Sequence, residues 1–403
     1  MPEAVIVATA RSPIGRAFKG SLVSLRPDDM AAQMVKAVLD KVPQLDRADV
    51  EDLLLGNAQP AGEAGYNVAR VVALLAGMPG VPGTTVNRYC SSSLQTIRMA
   101  AHAIRAGEGD VFISAGVEAV SRFGQGMADG HPDTHNPLFR DAEERSASRS
   151  LGGGGTWQPE EGLPDIYIAM GQTAENVREK EGVTRQEMDE FAALSQNRAV
   201  ASQENGFFER EISPLILADG TEVTKDDGPR PGTTVEKLAE LKPAFRPDGE
   251  VTAGNSCPLN DGAAAVVVMS DTKARDLGIT PLARIVASGV TALDPEIMGL
   301  GPVEACRQAL GRAGMTIDEV DLVEINEAFA AQVVPSARNL GISWDKLNVH
   351  GGAIALGHPF GMTGARIMAT LINGLQTEDK TIGLESMCVG GGQGMAMIVE
   401  RLS

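Results

Sequence analysis

The stretch TTVNRYCSSSLQTIRMAAHAIRAG at positions 84–107, followed by VFISA at 111–115, decides the fold class. Residues 84–87 form a short β-branched run that reads as a strand. Across 93–105, Leu94, Ile97, Ala101 and Ile104 recur at the spacing of one helix face, and Gly107 closes the segment. A second apolar strand follows, so the unit is strand, turn, helix, strand, with Cys90 in the turn. Upstream the same alternation holds. A strand at 4–8 precedes a helix at 27–39 opened by Pro27, with Met30, Met34, Val35 and Val38 on one face. A strand at 52–56 and a helix at 68–75 complete the series. This rhythm predicts a largely parallel sheet covered by helices on both faces.

The rhythm lapses between about 122 and 250, where HPDTH at 131–135, GGGG at 152–155 and many prolines and charges occur. One clear helix is expected there, opened by a capping box from Thr184 to Glu187 and carrying Met188, Phe191, Ala192 and Leu194. Long excursions in compact folds are often functional, so substrate contacts are expected from this region. After Val251 the alternation resumes, with strands at 263–269, 282–288, 320–325, 381–387 and 395–400 and helices at 303–313 and 363–375. Val86-Asn87 ahead of one helix and Leu347-Asn348 ahead of another suggest that one βαβ-rich unit occurs twice. The division expected is 1–121 with 251–280 as one half, 122–250 as the inserted region, and 281–403 as the second half.

Composition bounds the function. The chain has 403 residues, 43% hydrophobic and 22% charged, an ordinary globular balance. A net charge of −18 repels nucleic acid and anionic membrane, so neither is expected as a partner. An anionic ligand therefore needs a locally basic pocket. No apolar run approaches the ~20 residues of a membrane span, and the N-terminus reads as a strand rather than a signal peptide. The four cysteines, Cys90, Cys257, Cys306 and Cys388, are far apart and form no CxxC pair, which fits a reducing cytoplasm better than a disulfide or zinc scaffold. His131 and His135 have a metal-pair spacing, but Pro132 spoils the helix such a pair needs.

Four segments carry chemistry. Cys90 stands at the start of a helix, where free N–H groups and the dipole favour thiolate; the segment alone also suits a buried strand-end thiol. His358, fixed between Gly357 and Pro359, precedes the 363–375 helix and is placed to take the Cys90 proton, with His350 as a competitor. Cys388 leads into Val-Gly-Gly-Gly-Gln-Gly394, whose N–H groups form a nest for negative charge beside a thiol. Asn326 ends a strand, where it orients a water or a histidine, or simply caps a helix.

Taken together, NRYC90SS, TAGN255 with N260DGAA, N326EAFA, GGAIALGH358P and C388VGGGQG resemble the thiolases, in order and over nearly the whole chain. The resemblance implies a layered α/β/α/β/α fold of two similar βαβ-rich halves with an inserted loop region, assembled as a homodimer or homotetramer. It implies CoA-dependent cleavage of 3-ketoacyl-CoA, or the reverse Claisen condensation, by a ping-pong route. In that scheme Cys90 is acylated, His358 activates it and helps hold the enolate oxygen, and Cys388 moves the α-carbon proton. Asn326 holds a water in the enolate site, and the N–H groups of Cys90 and Gly390 stabilise the tetrahedral intermediate. No permanently bound cofactor is implied, and CoA is a substrate. Arg230 matches a position that meets the phosphates of CoA, and Ser256 and Cys257 fall on its pantetheine side. Several residues depart from the family pattern: Ser256-Cys257-Pro258 replaces Ala-Ser-Gly, Ser91-Ser-Ser93 replaces a Gly-containing turn, His350 replaces Asn, and Ala169 replaces a His common in short-chain biosynthetic members. A decarboxylating ketoacyl synthase is the alternative. Such enzymes pair Cys with two histidines, so the Cys388 motif counts against it.

Overall fold

The computed structural model describes residues 2–130 and 133–403. The first part of the chain supplies β1 (Ala4–Arg11), β2 (Gly15–Arg16), α1 (Pro27–Asp40), β3 (Asp52–Gly56), α2 (Val68–Leu75), β4 (Gly83–Val86), α3 (Ser92–Ala106) and β5 (Val111–Ala119). The excursion holds α4 (Arg140–Ser150), α5 (Met170–Glu181), α6 (Arg185–Glu204), the β6 (Leu215–Ile216) and β7 (Glu222–Val223) hairpin, and α7 (Val235–Ala239). The remainder supplies β8 (Asn260–Ser270), α8 (Asp271–Asp276), β9 (Ala283–Ala292), α9 (Gly301–Ala313), β10 (Leu322–Ile325), α10 (Ala330–Leu340), α11 (Ala353–Leu356), α12 (Thr363–Thr377), β11 (Ile382–Val389) and β12 (Gln393–Arg401).

The main sheet runs β10-β11-β12-β9-β1-β8-β5-β3-β4. Its centre is the antiparallel β1/β9 pair. Outward from β1 the pairings are antiparallel to β8, antiparallel to β5, parallel to β3 and parallel to β4. Outward from β9 they are antiparallel to β12, antiparallel to β11 and parallel to β10, and a parallel bridge from Val323 to Leu347 stands where a fifth strand would be. The two halves are therefore topological repeats, and the Val86/Leu347 correspondence is part of the repeat. The sheet is mixed, not largely parallel as the local rhythm predicts. Helical crossovers do make the parallel pairs. The β11–β12 connection of a few glycines makes a hairpin, however, and β8 returns from the excursion against β5.

Burial alternation shows the layers. In β8, Ala263, Ala265, Val267 and Met269 pack with α1 and α2, while Ala264, Val266 and Val268 pack with α3 and α12. In β12, Met395, Met397 and Val399 face that same helix pair, and Ala396 and Ile398 face α9 and α10. The order is thus α1/α2, half-sheet, α3/α12, half-sheet, α9/α10. Strands buried on both faces read as unbroken apolar runs, as AAAVVVM does at 263–269.

The excursion contains α4, α5 and α7 besides the expected capped helix, whose Thr184/Glu187 box is formed. Of α4 only Ala142 is buried, and α5 buries polar Thr173, Glu175 and Asn176, so neither shows an apolar stripe. A buried ion cluster pins the excursion to β1. Arg11, fully buried, binds Glu211 at 2.6 Å and both oxygens of Asp226 at 2.8 and 2.9 Å. Arg11→Met strands two carboxylates in the interior, and we expect a loss of about 3–5 kcal/mol, read as a fall in urea midpoint at unchanged slope. No helix among the described residues is long and apolar enough to cross a membrane.

Candidate active site

The middle layer brings two helix N-termini together. The Ala365 N–H donates to Ser93 Oγ at 2.9 Å, and a Cβ on Gly364 would lie 2.3 Å from the Leu94 nitrogen, so α12 touches α3 backbone to backbone. Each N-terminus carries one chemical segment. Ahead of α3, Tyr89–Ser91 forms a 3₁₀ turn in which Tyr89 takes φ +42°. Asn87 Oδ1 accepts from the Tyr89 N–H at 2.8 Å, and Ser92 Oγ accepts from the Arg88 N–H at 2.9 Å and donates to the Tyr89 carbonyl at 2.7 Å. These bonds hold Cys90 on a rigid bend that opens onto a cavity of about 310 Å³. Ala58, Ile168, Ala169, Met170 and Phe360 line it together with the stacked rings of His135 and Tyr167.

Gly390 lies on the same wall, and its N–H is bonded to the Cys90 sulfur. The following Gly391 and Gly392 take φ of +77° and +75°; a Cβ on Gly392 would sit 2.2 Å from the Leu293 carbonyl. Glycine is thus required for the nest to face the thiol. Cys90 keeps partial exposure to the cavity, but protein surrounds its sulfur closely. Burial pushes the thiol up to about 11, against the pull of the Gly390 N–H and its own N–H, with Glu118 adding to the rise. The thiolate expected from the helix N-terminus is therefore not the resting form; desolvation outweighs the dipole.

Cys388 is fully buried and is not among the residues lining the cavity. Burial holds its thiol well above the usual range, and the Cys90 and Cys257 sulfurs lie near enough to add to that. Cys257 is raised in the same way, with Cys90 the first charge to act on it after burial. Three of the four thiols thus share one neighbourhood. Cys306 instead belongs to the α9/α10 core.

His358 is 2% exposed and packs edge-on against Phe360, 5.2 Å between centroids. Its N–H donates to Asn260 Oδ1 at 3.1 Å, and its Nδ1 lies 2.6 Å from Thr363 Oγ1. That hydroxyl gives its proton to the Pro359 carbonyl at 2.8 Å, so Nδ1 is the donor to it and Nε2 carries the lone pair. Burial, and then the Arg366 charge, lower the imidazole to about 3, so it rests neutral with Nε2 basic. Asn326 Nδ2 stands 3.3 Å from Nε2, while Asn326 Oδ1 is buried without a partner. The Asn326 backbone is fixed by the Ser386 carbonyl at 2.9 Å, two residues before Cys388. Asn326 is no helix cap, since Phe329 precedes α10.

Other expectations separate here. His350 stacks on Phe207 at 3.6 Å and bonds Ser202 Oγ, and it takes no part in the His358 contacts. Arg230 lines a small second slot with Ser256, Pro258 and Gly254. The Ser256 hydroxyl is spent on the Thr252 carbonyl at 2.7 Å, so this residue offers the slot its surface rather than its oxygen. Cys257 faces the thiol cluster rather than that slot. Sequence reading missed Arg16, which lines the slot opposite Arg230 and lowers its pKa after burial has done so. It also missed Glu118, whose signal was a carboxylate in an otherwise apolar strand. His131 and Pro132 lie outside the described residues; His135 bonds Glu143 at 2.8 Å. No group of three metal-ligating side chains occurs among the described residues.

Comparison with known proteins agrees over the full length. A family model described as "Thiolase, N-terminal domain" matches residues 4–272, and one described as "Thiolase, C-terminal domain" matches 279–401. The chain is 43% identical to the 3-ketoacyl-CoA thiolase of Idiomarina loihiensis over 412 residues, with all of both chains covered. It is 42% identical over 413 residues to the acetyl-CoA acetyltransferase of Pseudomonas aeruginosa, again covering all of both. The crystal structure of the Bacillus anthracis acetyl-CoA acetyltransferase superposes with a TM-score of 0.85 at 39% identity, covering 100% of this chain and 99% of that one.

Proposed function

The chain belongs to the thiolase family, and from that premise we propose that it cleaves 3-ketoacyl-CoA with CoA through an acyl-Cys90 intermediate. The Cys90 sulfur adds to the 3-keto carbon while His358 Nε2 takes the thiol proton. The oxyanion is held by the N–H groups of Cys90 and Gly390. The bond between C2 and C3 then breaks, and its electron pair leaves as the enolate of acetyl-CoA. The Cys388 thiol protonates the enolate carbon, with His358 and a water on Asn326 at the enolate oxygen. Acetyl-CoA departs, and CoA then attacks the acyl-Cys90 thioester, its thiol proton passing to the Cys388 thiolate. The Cys90 sulfur leaves with the proton held on His358, and the shortened acyl-CoA departs. The reverse sequence is the Claisen condensation. Thioester exchange is near thermoneutral, so the route draws on CoA as a substrate and on no permanently bound cofactor.

The observation that carries this reading is the Gly390 N–H on the Cys90 sulfur, in a cavity lined largely by apolar side chains and with Cys388 as the neighbouring thiol. The orphaned Asn326 Oδ1 supports the water site. A series of 3-ketoacyl-CoA lengths assayed for CoA-dependent cleavage tests it. Malonyl-dependent condensation without thiolysis would favour the decarboxylating class instead.

The excursion at 122–250 is assigned the substrate contacts, since Ile168, Ala169 and Met170 wall the acyl cavity and Arg230 the slot. Arg230 and Arg16 offset the −18 charge of the chain where the phosphates of CoA arrive. Arg230→Ala is expected to raise KM for CoA roughly 5–20-fold, the cost of one charge-assisted contact, with kcat held within about twofold. Initial rates at varied CoA check this. The reading includes a homodimer or homotetramer: β4 is an edge strand, and Tyr66 beside it is 98% exposed. Four free thiols accord with a cytoplasmic setting.

A further inference from the structure

Among the buried ionisable groups, Glu118 has no part in the steps above, yet it touches both sides of the site. It lies near the end of β5 at 1% exposure. Its Oε2 accepts from the N–H groups of Ala58 and Gly361, both at 2.9 Å, and its Oε1 from Asn57 Nδ2 at 3.3 Å; the Gln59 N–H also points to it. Ala58 and Gln59 belong to the cavity wall that includes Cys90, and Gly361 ends the turn that starts at His358. The three segments are in backbone contact. A Cβ on Gly361 would lie 2.4 Å from the Val117 carbonyl and 2.7 Å from that of Gly56, and one on Gly116 would lie 2.0 Å from the Gly361 carbonyl.

We propose that Glu118 is a positioning residue for this reaction, its carboxylate clamping the 57–59 wall and the 358–361 turn in fixed relation to Cys90. The inference rests on the thiolysis reading given above. Neutral donors occupy both oxygens, so the carboxylate neither meets substrate nor relays a proton. A protonated carboxyl would turn a donor toward N–H groups, so the clamp needs the anion. Burial pushes this carboxyl up to about 7 against the pull of the Ala58, Gly361, Gln59 and Asn57 donors, so the clamp is complete only above neutral pH. A buried anion is costly unless hydrogen-bonded, and here that cost goes into joining two loops rather than into packing. The charge also acts on Cys90, whose thiol it holds up.

The test compares Glu118→Gln and Glu118→Asp with the wild type well above pH 7, where the wild-type carboxylate is ionised, and at a temperature where all three are folded by circular dichroism. Gln keeps the shape but sets its NH₂ against a donor. We expect kcat to fall ~10–100-fold with KM for CoA within about twofold. Removing the charge should also speed iodoacetamide labelling of the Cys90 peptide by roughly threefold. Asp keeps the charge but draws it back, so slow labelling should persist while kcat falls. A merely structural residue would lower melting temperature and leave kcat and labelling unchanged, and that result would overturn the proposal, as would wild-type kcat in the Asp variant. Labelling needs no substrate. If the wild type itself fails to cleave 3-ketoacyl-CoA, the underlying reading fails instead, and the labelling comparison still reports on the clamp.

Discussion

Cys90→Ala should remove thiolysis, by on the order of 10⁴-fold or more, because Cys90 is the cysteine that lines the cavity and meets the Gly390 N–H. Cys388→Ala should lose roughly 10²–10⁴-fold, the usual worth of a positioned proton donor. The two losses have different causes, and acetyl-CoA alone separates them. Acyl transfer from acetyl-CoA to Cys90 involves no proton at the α-carbon, so the Cys388→Ala protein should still take up one labelled acetyl group on the Cys90 peptide. The Cys90→Ala protein should take up none. The proximity of Cys388 and Cys257 makes this a demanding test, since either sulfur could accept an acyl group by exchange. Label on Cys388 in the wild type would reverse the assignment.

Sequence order told much of this, and its failures have physical causes. β3 and α2 have the bounds their patterns predict, because Asp52 and Gly56 punctuate one and an apolar stripe marks the other. α10 gave no such signal: it is buried nearly all round and contains Pro335, so it shows neither an amphipathic stripe nor a clean start. The mixed character of the sheet depends on β1 pairing with β8 and β9, more than 250 residues away, which no local rhythm encodes. The motifs named Cys90, His358 and Cys388, but not the electrostatics between them. Helix position argued for thiolate at Cys90, whereas desolvation by distant segments dominates. Likewise Gly390 was legible as a flexible nest, but its aim at a sulfur three hundred residues upstream arises only when β11 packs against the turn before α3.

His358→Asn is the second large effect, with thiolysis expected to fall about 10²–10⁴-fold as the base is lost. A wholly structural histidine would also give some loss, so the decisive readout is stability against pH. The imidazole is held near 3 in the folded protein and returns to its ordinary 6.5 on unfolding. Between those values the unfolded chain binds a proton that the native state refuses. Stability therefore rises with pH through this window, and the contribution is lost as pH falls from 6.5 toward 3. In the variant that proton is gone. Its urea midpoint should fall less steeply from pH 6.5 to 4 than that of the wild type, by up to ~1.4 kcal/mol per pH unit. His350, lowered to about 4 by burial and by Arg198 and Arg210, remains in both proteins and cancels from the comparison. Equal slopes would mean that His358 titrates near its ordinary 6.5 in the folded protein, and the lowering of the imidazole to about 3 by burial would have to be abandoned.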